Sequence, residues 1–404
     1  MQENSSLSKS FWFFISARFL ALLAHQMLLV ALGQYIYVLT HQTMPLAWMG
    51  LALFLPRALL VLVSGHVADR FPRKTVIIIC RVASFVLSVF FLILYLGQIH
   101  NLIWWYLLLA LLGTSYSFDG PANQAIVPDL VPVEKLNQAI AYNSTNMQLA
   151  FILGPALSGI IYALGDSPLP VLILILFCRL ASALLMTRVH SSPVKNQPGE
   201  MTRETLVAGL KYVWEKKIIL GTISLDLFAV LLGGAVALMP VFANDILHVG
   251  AWGLGVLRAA PCIGAVITAF YLANAKPMSN AGPAMFVSVF IFGVVTVLFG
   301  LSKNFTLSVS LLIVLGAADM VSVQIRHMLV QLMTPQEMRG RVGAVNLVFI
   351  GASNELGEFE SGLAATLLGT VPAVVFGGIG TLAVVGLWTL FFPEIRQLKR
   401  LQNI

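Results

Sequence analysis

The chain has 404 residues, of which 58% are hydrophobic and only 10% charged, and its mean hydropathy is +0.89. A soluble globular domain carries roughly 25% charged residues, so the composition excludes one and requires a polytopic helical membrane protein. The net charge of +7 does not mark a nucleic-acid binder, because the cations are spread over short loops instead of gathered on one face.

A bilayer span takes about 20 mainly apolar residues. In chain order, runs of that kind fall at 11–38, 45–64, 75–97, 102–127, 139–164, 168–188, 217–244, 251–274, 282–302, 304–330, 341–368 and 372–392. The first run has no small-residue cleavage site after a short core, so it reads as a retained helix and not a signal peptide. Polar residues interrupt the cytoplasmic ends of the fourth and tenth runs. Cys80, Cys178 and Cys262 fall inside apolar runs without metal-type spacing and are expected to be packing residues. Trp104, Trp105 and Tyr106 stand at the start of a span and read as an interfacial belt.

An even number of spans puts both termini on one side. Arg70, Arg73, Lys74, Lys135, Lys195, Arg203, Lys211, Lys216, Lys217, Lys276, Arg339, Arg341 and the C-terminal Arg396, Lys399 and Arg400 share one set of loops, whereas the opposite set holds only Lys303. The positive-inside rule makes the first set, and both termini, cytoplasmic. The expected organisation is an N-terminal six-helix half at 1–189, a cytoplasmic linker at 190–216 and a C-terminal six-helix half at 217–404.

The halves repeat. Leu112-Gly113 matches Leu315-Gly316, Pro132-x-Glu134 matches Pro335-x-Glu337, Ala141-x-Asn143 matches Ala344-x-Asn346, and Ser158-Gly159 matches Ser361-Gly362. Every pair is 203 positions apart (316 − 113, 335 − 132, 362 − 159). Parallel repeats of six spans imply a substrate held near the midplane between the halves, and alternating access.

Between the second and third runs lies a dense polar cluster, Gly65-His-Val-Ala-Asp69-Arg70-Phe-Pro-Arg73-Lys74. Topology explains its cations but not the spacing of its glycine and aspartate. The corresponding segment of the second half, Leu272-Ala-Asn-Ala-Lys276-Pro, keeps one cation and has no acid.

On these residues the chain resembles the major facilitator superfamily. Gly65–Lys74 is similar to that superfamily's loop between helices 2 and 3, with Val67 and Pro72 where the family typically has Leu and Gly. Gly154-Pro155-Ala-Leu-Ser-Gly159 is similar to the glycine–proline motif of the exporter branch. Leu225-Asp226-Leu-Phe-Ala, Leu238-Met-Pro240-Val-Phe-Ala, Gly316-Ala-Ala-Asp319-Met and Asn354-Glu355-Leu-Gly-Glu358-Phe-Glu360-Ser-Gly362 resemble the bacterial subfamily of enterobactin exporters and macrolide-efflux relatives. The resemblance covers nearly the whole chain and is specific for fold and subfamily but weak for substrate. The fourth span departs from it: many proton-coupled drug exporters have an arginine there, and this chain has none.

Charges inside the bilayer cost about 2.5–3.5 kcal/mol each on insertion scales, which makes each a functional candidate. Asp319 lies in the tenth span, and Arg326 and His327 follow it at spacings that share one helical face. Glu355 and Glu358 share a face of the eleventh span, and Glu360 points elsewhere. Asp319, Glu355 and Glu358 form either a proton relay or an ion-pair network with Arg326. In the first half Arg18, Arg57 and Asp119 are the expected intramembrane charges, meeting an anionic substrate or pairing with one another. Arg18 is close enough to its span's end to snorkel instead. Arg258 of the eighth span is a rough counterpart of Arg57, and Asp226 is either a structural partner or a functional group. His25, Gln26 and Gln34 place polar groups in the first span, which lines the pathway in this family; His25 reads equally as a packing residue. The family pattern sets Asp69 against the cytoplasmic start of the eleventh span, near Arg339 and Arg341. With Arg70 and Arg73 it would there form a latch for the outward-open state.

The function expected is a proton-coupled exporter of a siderophore-like small molecule in a bacterial inner membrane, acting as a monomer without a cofactor or metal. A multidrug or macrolide pump, an importer, a lipid flippase and a non-transporting receptor are the alternatives. No Ser–His–Asp set, metal-ligand cluster or phosphate-binding glycine loop argues for an enzyme.

Overall fold

The structure is a computed structural model that describes residues 7–190, 210–274, 280–335 and 338–397. The side chains of Asp69, Arg339, Arg341 and Glu355, and most of the expected linker, lie outside the described residues. Among those described the chain is helical, without strands. Its long helices are α1 (Lys9–Thr40), α2 (Met44–Arg70), α3 (Arg73–Leu96), α4 (Leu102–Ala125), α5 (Leu136–Gly165), α6 (Leu169–Thr187), α7 (Lys217–Leu232), α8 (Gly250–Asn274), α9 (Ala281–Leu301), α10 (Phe305–Met333), α11 (Arg339–Leu368) and α12 (Thr370–Phe391). Among the described residues, 9 helices are long and apolar enough to cross a membrane. The remaining three, α2, α4 and α11, stand where the other expected spans lie.

Two compact units emerge from the packing: Met1–Tyr35 with Ala52–Glu200, and Ile36–Leu51 with Met201–Ile404. The tail of α1 and the start of α2 thus cluster with the second unit. In the first unit α3 packs on α4 and α6. In the second, α8 packs on α10, α9 on α10 and α12, and α7 on α11 and α12. Phe11, Phe14, Ile77, Ala122 and Met186 are buried together in the first unit, as are Leu225, Met285, Ile325 and Leu329 in the second.

Lipid tails are as apolar as these side chains, so close van der Waals contact holds such helices together. The contacts recur at the repeat spacing. A Cβ on Gly113 of α4 would collide with the Leu53 carbonyl of α2, and one on Gly316 of α10 with the Pro261 carbonyl of α8. A Cβ on Gly154 of α5 would lie 3.2 Å from the Leu23 carbonyl of α1, and one on Gly357 of α11 would lie 2.9 Å from the Leu231 carbonyl of α7. Asn101 and Asn304 both cap their helices, α4 and α10, their side-chain oxygens accepting from the amides two and three residues on, Ile103 and Leu307, each at 3.0 Å. Gly154 and Gly357, and Asn101 and Asn304, are further pairs 203 apart (357 − 154, 304 − 101).

Several expectations need correction. The cluster at Gly65–Lys74 is not a loop: α2 runs through Arg70, only Phe71 and Pro72 intervene, and α3 begins at Arg73. Proline disfavours helical geometry in the residue before it, which stops α2 at this point. The seventh span, which reaches Ile246, is not one regular α-helix, because α7 stops at Leu232 before Gly233-Gly234. Its continuation is a 3-10 turn (Ala235–Leu238), a short turn at Pro240 and a π turn (Phe242–Ile246). Trp105 is no belt residue: it is wholly buried, with its indole donating to the Ile99 carbonyl at 2.9 Å, whereas Trp104 is exposed.

Candidate functional site

The spans of the first unit carry more charge than expected. Arg81 of α3 and Arg179 of α6 are buried inside apolar runs alongside Arg18, Arg57 and Asp119. Asp119 of α4, for which Arg18 and Arg57 were alternative partners, forms its salt bridge with Arg81, at 3.2 Å. Arg81 also donates to the Asn123 side chain (3.3 Å), and Arg18 donates to the Asn123 carbonyl (3.4 Å). Arg179 is held by neutral oxygens, the Ser84 carbonyl at 2.7 Å and the Tyr116 hydroxyl at 2.9 Å. Tyr116, Asp119 and Asn123 are spaced by three and four residues, which lines them along one face of α4. His25 packs edge-on against Tyr116, ring centroids 4.6 Å apart, with its Nδ1 buried and without a hydrogen bond. Arg57 stands within electrostatic reach of both rings.

The charges of the second unit have the opposite balance. Arg326 of α10 forms an ion pair with Asp226 of α7, and both side chains are buried. A small cavity beside the pair is lined by Asp226, Ala229, Phe292, Asp319 and Ser322. Ser322 is 2% exposed and its hydroxyl has no hydrogen-bond partner. Asp319 and Ser322, three residues apart, present their oxygens to one side of α10. Arg326 is buried two turns from Asp319 on the same face, whereas His327 is exposed and does not share that face as expected. Glu358 of α11 lies within electrostatic reach of Arg258 of α8 and is not among the groups lining the cavity. Of the relay residues, then, the structure joins Asp319 to the Asp226–Arg326 neighbourhood and Glu358 to Arg258. Glu355 lies outside the described side chains.

In the polar cluster, Arg73 reaches both oxygens of Asp129 (3.0 and 2.9 Å) and the Ala125 carbonyl (2.7 Å), tying α3 to the end of α4. Lys74 donates to the Thr187 carbonyl at the end of α6 (2.9 Å). Gly65 is buried and Arg70 exposed. Gly154, Pro155 and Gly159 are all buried on α5, and Gly154 faces Gln26 on α1. Gln34 is buried, and the three cysteines are unpaired.

Arg81, Arg179, Asp129 and Ser322 were not among the residues expected from the sequence. The two arginines sit inside apolar runs, so the insertion-cost argument that selected Arg57 applies to them equally. Asp129 and Ser322 carry no such signal, because their importance comes from tertiary neighbours.

The family model of the Major Facilitator Superfamily matches residues 14–358. Enterobactin exporter EntS of Shigella boydii is 26% identical over 399 residues, covering 95% of this chain and 92% of the relative. Its namesake in Citrobacter koseri is 26% identical over 397 residues with the same coverage. Among solved structures, a bacterial homologue of the human lysosomal transporter Spinster superposes with a TM-score of 0.75 at 14% identity, over 96% of this chain and 98% of that one. A bacterial homologue of the iron transporter ferroportin reaches 0.71 at 16% identity, over 98% of this chain and 100% of that one. At such identities these two speak for the fold alone.

Proposed function

Because the chain belongs to the Major Facilitator Superfamily, a family of membrane transporters, we propose that it is an alternating-access exporter that couples proton entry to the exit of a siderophore-like molecule. The observation that carries this reading is the second unit's buried chemistry: a carboxylate, Asp319, beside a buried Asp226–Arg326 pair in membrane-spanning helices. Charges are expensive in lipid and persist where they move ions or substrate. Asp319 is placed to load the proton, with Glu355 and Glu358 completing the route. Arg18, His25, Gln26, Arg57, Asp119 and Arg326 line the substrate pathway. Asp69 and Arg70 act at the cytoplasmic gate, for which Arg73 and Lys74 brace α3. Gly154, Pro155 and Gly159 allow α5 to slide close against α1.

The likeness to enterobactin exporters along almost the whole chain supports the cargo class and the direction. The cation-rich loops support a bacterial inner-membrane protein with both termini in the cytoplasm. Purified protein in liposomes with an imposed pH gradient tests the reading, with enterobactin, erythromycin and a lysolipid offered in parallel. Enterobactin movement that dissipates the gradient and stops with a protonophore is the expected result. Movement indifferent to the gradient overturns proton coupling, and preference for erythromycin makes the protein a macrolide pump.

A further inference from the structure

Among the described side chains inside the apolar runs of the first unit, three closely placed arginines (Arg18, Arg81 and Arg179) stand beside one aspartate, Asp119. Arg81 takes that carboxylate. Arg179 is 3% exposed and Arg18 half-buried, and among the described residues neither makes a salt bridge; their partners are a carbonyl each and the Tyr116 hydroxyl. A guanidinium keeps its charge and presents a planar fork that fits a pair of anionic oxygens. Neutral oxygens hold Arg179 in place but leave its charge uncompensated, and Arg18 has only a share of the Asp119 carboxylate that already pairs with Arg81. Donor capacity remains as well, since the Arg81 Nε is buried without an acceptor.

The surplus is localised. Asn123 gathers Arg18 and Arg81, while Tyr116 gathers Arg179 and His25, so the charges converge along a single face of α4. Tyr116 and His25 are both partly exposed and pack edge-on, and the Tyr116 hydroxyl accepts from Arg179, so aromatic rings and guanidinium groups are neighbours here. Such a face suits a planar ring that bears an anionic oxygen pair: the oxygens meet the arginines and the ring meets Tyr116 and His25.

We propose that this face of the first unit is an anion-recognition site for an aromatic or similarly flat carboxylate or oxyanion, with Arg18 and Arg179 as its charge partners and Tyr116 and His25 as its ring platform. The proposal deepens the exporter reading and rests on it for the site's purpose, but not for its existence.

Titration calorimetry on the purified full-length protein tests it, with salicylate as probe and the near-isosteric neutral salicylamide as control. Wild type should bind salicylate at least about tenfold more tightly than salicylamide, and Arg18→Gln should remove that preference. Arg179→Gln should do the same. Should it not fold, Tyr116→Phe takes its place, because it deletes only one hydroxyl and should weaken salicylate alone. Lys217→Gln, at an exposed pair with Glu394, should bind as wild type does. Equal affinity for the two probes, no salicylate binding by wild type, or full binding by both arginine variants overturns the proposal. No gradient enters this measurement, so binding without transport would refute the exporter while leaving the site. Gradient-driven transport without anion preference would do the reverse.

Discussion

Arg326 on α10 and Asp226 on α7 form an ion pair whose side chains are only 3% and 7% exposed. Removing one member of such a pair strands the other as an unpaired buried charge, which costs about 3–5 kcal/mol. Replacing both with apolar residues of similar volume avoids that penalty. Arg326→Leu and Asp226→Leu singly should therefore each lower the unfolding temperature sharply, and the double variant should recover most of the loss. Additive losses in thermal unfolding would show that the two side chains do not depend on one another.

Asp319 lines the cavity beside that pair without belonging to it, so its removal should touch coupling more than stability. Asp319→Asn should leave substrate exchange across liposomes intact while abolishing acceleration by a pH gradient, with an unfolding temperature close to wild type. Retained acceleration would move the coupling role to the glutamates of α11.

Arg73 and Asp129 brace the start of α3 against the short helical turn after α4 (Val127–Leu130), with Arg73 24% and Asp129 5% exposed. Loss of either leaves hydrogen-bonding capacity unsatisfied, at roughly 1–3 kcal/mol. Arg73→Ala and Asp129→Asn should thus destabilise by similar amounts, with the double variant no worse than the more damaging single. A distribution of gate distances that shifts in Arg73→Ala but not in Asp129→Asn would instead put Arg73 in the gate itself.

Gly113 and Gly316 sit where the backbones of α2 and α8 leave no room for a Cβ. Gly113→Val and Gly316→Val should each push two helices apart, at about 1–3 kcal/mol or more. A Cβ on Gly120, on the same helix as Gly113, would meet nothing within 4 Å, and Gly120→Ala should be tolerated. Yields of monodisperse protein compare the three directly, and equal yields would contradict the contact geometry.

Helices and repeat were legible in the sequence because hydropathy and spacing are one-dimensional properties. Runs of apolar residues located α3, α6, α9 and α12 to within a few residues. The matched pair Gly113 and Gly316 marked the repeat by spacing alone, and the helix contact that each makes needed the structure. Legibility failed where a local rule competed with the apolar pattern. Pro72 and the two glycines after Leu232 set helix ends that hydropathy does not register. Trp105 looked like an interfacial residue because its neighbours do, yet the turn at Ile99 supplies a buried acceptor for its indole. The pairing of Asp119 with Arg81, and of Asp226 with Arg326, needed the third dimension, since nothing in spacing chooses among several candidate cations.

The matched glycines and capping asparagines recur in both halves, but the buried charges do not. Asp119 has Ser322 at the corresponding place, and Asn123 has Arg326 (322 − 119 and 326 − 123 are both 203). Duplication therefore handed down a scaffold held by backbone contacts, on which each copy has since written its own electrostatics. On the proposed reading, a transporter built in this way changes cargo by exchanging a few side chains along α4 or α10, with no need to reinvent how its helices meet.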